Sequence, residues 1–115
     1  MLNALEPGTI MPIHRHRNSS ETVVIVRGSL IERFYDEDGN VTEEVLMAPV
    51  ASLAEDGQSN NHPSSTLHHQ PSVPVVQVEK GRWHSLECLE SGTVLFESKD
   101  GKYEPLAEED IMKKI

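Results

Sequence analysis

At 115 residues the chain has the length of one domain with a single buried core, and its 37% hydrophobic and 25% charged residues are globular proportions, neither disordered nor fibrous. A net charge of -9 with only ten Lys and Arg argues against a nucleic-acid backbone as partner, and no run of about 18 apolar residues offers a membrane span. The single cysteine excludes an internal disulfide; together with an N-terminus lacking the basic-then-apolar order of a signal peptide, it leads us to expect a reducing, cytoplasmic setting.

Taken in order, Met1 to Glu6 reads as a short lead-in, and Pro7-Gly8 as a turn or strand start. A first strand is expected over about Thr9 to Arg17, followed by the turn formers Asn18-Ser19-Ser20. Glu21 to Arg27 makes a second strand, rich in β-branched residues. If Glu21, Val23 and Ile25 point inward, then Thr22, Val24 and Val26 point outward and need a cover, for which a second copy of the protein is the simplest choice. Leu30 to Tyr35 and Val41 to Met47 are the arms of a hairpin turning at Asp38-Gly39, because glycine accepts the positive φ of a tight turn. From Ala48 to Ser72 the periodicity dissolves into loop composition that includes His62, His68 and His69. Those three histidines are expected to swing freely rather than to close over a site. Strand character resumes at Val73 to Val78, Trp83 to Leu89 and Thr93 to Ser98, separated by Gly81-Arg82 and Ser91-Gly92. Ala107 to Lys114 reads as a short C-terminal helix, with acidic residues leading and Lys113 and Lys114 ending it. Many short strands, frequent hairpins and one late helix predict an all-β antiparallel sandwich or barrel with a cap, in one domain spanning residues 1–115.

The chemistry is concentrated in Gly8 to Gly28, GTIMPIHRHRNSSETVVIVRG. In an extended strand, side chains two apart leave the same face, so His14 and His16 can aim two imidazoles at one point. A turn after Arg17 would bring the Glu21 carboxylate beside them. Two imidazoles and one carboxylate suit a divalent transition metal: Fe(II), Mn(II), Ni(II) or Zn(II). Arg15, Arg17, Arg27 and Arg33 lie around this stretch, as solvated strand residues or as an attraction for an anionic group. Tyr35 and Tyr103 are candidate proton donors, Trp83 is expected to pack away from the site, and Cys88 to behave as a small buried apolar residue.

Gly8, His14, His16, Glu21 and Gly28, in that spacing, resemble the first signature motif of the cupin superfamily, and Gly81-Arg82-Trp83-His84 resembles the second. Glu79, Val73 and Cys88 stand where that second motif has Pro, Gly and Asn. Within the superfamily the chain looks most like the small WbuC-type cupin-fold metalloproteins, through Leu5-Glu6-Pro7-Gly8-Thr9, Phe34-Tyr35-Asp36-Glu37-Asp38-Gly39 and the run from Phe96 to Pro105. The resemblance implies a double-stranded β-helix, or jelly-roll barrel, with His84 joining His14, His16 and Glu21 as fourth metal ligand. It also implies a homodimer and a setting among surface-polysaccharide genes. Three functions then stand open. The chain is a metalloenzyme isomerising, epimerising or oxygenating a sugar or sugar-derived acid, a module that binds or senses a carbohydrate, or a structural metal protein.

Overall fold

The computed structural model describes residues 1–9, 11–50, 71–102 and 104–112, and among these the chain is all-β. Seven strands follow in order: β1 Leu2–Leu5, β2 Glu21–Arg27, β3 Leu30–Tyr35, β4 Val41–Met47, β5 Val75–Val78, β6 Trp83–Cys88 and β7 Thr93–Lys99. They form two antiparallel sheets, one in the order β1-β7-β2-β5 and one in the order β4-β3-β6.

Alternation decides what lies between the sheets. On β2, Glu21, Val23 and Ile25 are buried, whereas Thr22 and Val24 are half-buried and Val26 is exposed. Leu5, Val23, Ile25, Val78 and Leu95 from the first sheet and Leu30, Phe34, Met47 and Cys88 from the second form one core cluster, so the sheets pack face to face. Glycine is required most clearly at Gly28 and Gly39. Gly28, at φ +83°, lies so close to β7 that a Cβ there would sit 2.3 Å from Thr93 Oγ1. Gly39, at φ +86°, closes the β3–β4 hairpin, where the Asp36 carboxylate accepts hydrogen bonds from the backbone N–H groups of Asp38 and Asn40.

The expected strand over Thr9 to Arg17 does not form. Pro12 has no N–H to give a ladder, and pairing is confined to His14, which bridges His84 on one side and Ile111 on the other. The lead-in, by contrast, is a strand: β1 pairs with β7 from Leu2 against Phe96 to Leu5 against Thr93. The expected C-terminal helix is reduced to a single 3₁₀ turn at Glu108–Asp110, followed by extended backbone at Ile111. Tertiary pairing overrides helical preference there, because Asp110 O accepts from Arg15 N and Met112 N donates to Ile13 O. Residues 51–70, with His62, His68 and His69, fall outside the described residues, as do Tyr103 and residues 113–115. No helix among the described residues is long and apolar enough to cross a membrane.

Candidate metal centre

Two separate pieces of chain, the His14–His16 segment and β6, bring three imidazoles together at the edge of the core. His14 is tied to His84 by a reciprocal backbone pair: its N–H donates to His84 O and its C=O accepts from His84 N, at 3.0 and 2.8 Å. The backbone of His16 is fixed two residues on, where its C=O accepts from Gly81 N at 2.8 Å. A ring nitrogen from each of His14, His16 and His84 lies within 4.8 Å of the other two, a group that could hold a metal ion. Same-face geometry at i and i+2 thus delivers the pair of rings, although the backbone between them is not a regular strand.

The tautomers are set by the backbone. His14 Nδ1 lies 2.9 Å from Pro12 O and His84 Nδ1 lies 2.9 Å from Arg82 O, so each ring donates its Nδ1–H to a carbonyl and leaves Nε2 with a free lone pair. This second contact is the one metal-binding histidines ordinarily make. His84 Nε2 is fully buried and has no hydrogen-bond partner. A buried acceptor without a partner is costly, and a cation at this spot would satisfy it.

Burial and the nearby His84 push His14 down to about 4, which keeps it neutral and able to ligate near pH 7. Burial and the Lys99 ammonium lower His16 as well. Burial also opposes charge on His84, but the Glu21 carboxylate and the Arg82 carbonyl outweigh it and leave His84 above its ordinary value. Glu21 Oε1 stands 3.7 Å from His84 Nε2 and Oε2 stands 4.0 Å from His16 Nε2, with Lys99 Nζ 4.0 Å from the same oxygen. Burial raises Glu21, yet the contact with His84, together with His16 and Lys99, wins and holds it below the usual carboxylate range. Glu21 therefore flanks two of the three rings as an anion.

The cluster opens into a cavity of about 160 Å³ lined by the three histidines and Glu21, together with Glu32, Glu97, Lys99, Met11, Ser85 and Leu86. Sequence reasoning had not singled out Glu32, Glu97 or Lys99. Glu32 is 1% exposed, its Oε2 has no partner, and burial pushes it up to about 8. Glu97 is pushed up to about 7 by burial and by the adjacent Glu21 carboxylate, and its Oε1 accepts from Asn3 Nδ2 at 2.6 Å. A parity signal was available: Glu32 alternates with inward Leu30 and Phe34, and Glu97 and Lys99 continue the inward row begun by Thr93 and Leu95.

Tyr35, a candidate proton donor, does not line the cavity; its hydroxyl lies 2.8 Å from Ser85 Oγ, which does. Trp83 is 8% exposed and packs under Arg15, whose guanidinium carbon is 4.5 Å from the ring centroid. Cys88 is buried in the core, its thiol directed at Glu90 O. The arginines around the first motif are largely neutralised. Arg15 and Arg17 both donate to Asp110, and Arg33 pairs with Glu44 and Glu87.

The family described as Domain of unknown function (DUF6016) matches residues 1–47. That span ends with β4, so it contains His14, His16, Glu21 and Glu32 but not His84. No curated protein matches the chain.

Proposed function

We propose that this chain is a small cupin-type metalloenzyme, its ion held by His14, His16 and His84 with Glu21 as the anionic fourth ligand, acting on a sugar or sugar-derived small molecule in surface-polysaccharide metabolism. The observation that carries the reading is the pair of Nδ1–H to carbonyl bonds, which leave Nε2 of His14 and His84 free as ligands in a cluster whose ring nitrogens lie within 4.8 Å of one another. Two facing antiparallel sheets with the histidines between them are compatible with a jelly-roll barrel. A divalent ion there supplies Lewis acidity toward a carbonyl or enediolate oxygen.

The protein's own groups favour an enzyme over a passive binding module. Glu32 and Glu97 keep protons toward neutral pH inside a desolvated cavity, which suits groups that take and return a proton during isomerisation or epimerisation. Glu97, bonded to Asn3, lines the same cavity as Glu21 and is raised by its carboxylate. Lys99 adds positive charge where an oxyanion would develop.

The test is metal analysis of protein purified without added metal, alongside His14→Ala and His84→Ala. One equivalent in the wild type and loss from both variants is expected, whereas full metal content in both variants removes the assignment. Proton exchange from candidate sugars in D₂O, followed by NMR, then separates turnover from binding, since a binding module exchanges nothing.

A second copy is proposed to cover the outer face of the β1-β7-β2-β5 sheet. Leu2, Phe96, Val24 and Val75 stand in register across it, and Leu2, Phe96 and Val75 are 64%, 41% and 49% exposed. Phe96→Lys should then convert a dimer to a monomer in light scattering, and an unchanged mass overturns that arrangement.

A further inference from the structure

The main cavity has an annex. A second space of about 110 Å³ is lined by Asn3, Leu5, Met11, Leu86, Leu95 and Glu97, and it shares Met11, Leu86 and Glu97 with the cavity at the histidines. The two spaces differ in character. The one at the histidines is walled by carboxylates, imidazoles and Lys99, whereas the annex runs toward Leu5 and Leu95, which belong to the core. At the polar end Glu32 offers a buried oxygen that no protein group satisfies. A buried polar atom without a partner carries a standing cost that a ligand hydroxyl or carbonyl would remove. A cavity of comparable size admits a benzene-sized molecule, so an intact sugar nucleotide does not fit inside.

We propose that the site takes a small molecule with two adjacent oxygen functions at one end, held by Glu32 on the strand beside His84, and a short apolar tail at the other, seated in the Leu5–Leu86–Leu95 annex. This rests on the metal-centre reading above and narrows its substrate class to a hydroxy-carbonyl or enediol compound bearing a methyl or short alkyl end. The two ends are recognised by separate physics. Glu32 reads the head by a hydrogen bond in a desolvated setting, and the annex reads the tail by area removed from water.

The test uses protein loaded with Co(II), whose visible absorption reports its coordination, titrated with alkyl hydroxamic acids as two-oxygen probes. Acetohydroxamic acid should perturb the spectrum saturably, and butanehydroxamic acid should bind roughly tenfold more tightly for its two added methylenes. Glu32→Leu should keep its cobalt and lose acetohydroxamic acid affinity by tenfold or more, while Glu32→Gln, which still offers hydrogen-bonding groups, should stay within about threefold of wild type. Equal affinity for the two chain lengths overturns the tail assignment, and a Glu32→Leu variant that binds as the wild type does overturns the head assignment. Failure of the wild type to bind either hydroxamic acid while holding cobalt overturns the ligand class alone. Failure to hold cobalt overturns the metal centre itself, so the two claims fall separately.

Discussion

Glu32→Gln tests the cavity's electrostatics without disturbing its shape. In the folded chain burial keeps the Glu32 proton to about pH 8, against 4.5 for the free side chain. Between those values the native state binds a proton that the unfolded chain has released, so stability falls by about 1.4 kcal/mol for each pH unit. The contribution of this group is thus whole below about pH 4.5 and lost as pH rises toward 8. Gln does not titrate. The unfolding free energy of the variant minus that of the wild type should therefore be flat in acid and climb by about 3 kcal/mol between roughly pH 5 and pH 7. His14 and Glu97 also titrate abnormally, but both proteins carry them, so most of their effect cancels in the difference. Urea denaturation at a series of pH values, with a chelator present, measures the quantity directly. A difference that stays constant across that range would refute the claim that Glu32 is protonated in the native fold.

Three further outcomes follow from named contacts. Gly28→Ala meets both a positive φ and Thr93 Oγ1 at 2.3 Å from the added Cβ, and it should cost about 2–4 kcal/mol in urea unfolding; a loss under about 0.5 kcal/mol would show that the β2–β3 turn relaxes freely. Glu97→Ala removes the carboxyl neighbouring Glu21 and should weaken cobalt binding by about tenfold while the fold persists in circular dichroism; unchanged affinity would show that Glu97 does not position Glu21. Because burial holds His14 at about 4 and lowers His16, whereas Glu21 raises His84, the proton that cobalt must displace just below neutral pH sits on His84, and cobalt affinity should fall by about one decade for each pH unit lowered there; a loss of two or three decades per unit in competition titrations would contradict that ionisation pattern.

Much of the framework could be read from residue type and spacing. The expected bounds of the second, third and fourth sequence strands coincide with β2, β3 and β4, because Thr22 to Val26 is β-branched throughout and Asp38-Gly39 permits only a tight reversal. What misled were the segments whose conformation is decided by a distant partner. Leu2 to Leu5 includes Asn and Ala, weak strand formers, and is a strand because β7 offers it an edge. Glu108 to Ile111 has helical composition, yet Arg15 and Ile13 draw its backbone and the Asp110 carboxylate into pairing with the His14 segment. Neither partner is visible from the segment itself, so local propensity had nothing to weigh against.

The candidate metal centre divides along the same line. His14, His16 and Glu21 announce themselves by type at a spacing short enough for one strand and one turn, and His84 by resemblance to a second motif. Glu32 and Glu97 do not, since a carboxylate in a strand ordinarily belongs to the solvated face, and only the burial of Leu30 and Phe34 on either side of Glu32 reveals it as inward. Their placement bears on function more than the histidines do. A structural metal needs ligands and a closed shell, and a fold under no other demand would fill the wall with aliphatic side chains rather than carry a 1% exposed carboxyl whose Oε2 is unsatisfied. That local rule is broken beside the histidine cluster and nowhere else among the described carboxylates, for every other buried one, Glu21 and Asp110 included, has a charged or hydrogen-bonding neighbour. Expense of this kind is characteristic of sites that act on a ligand, and it is the physical support for the proposal that the cavity is a place of chemistry rather than a clamp between sheets.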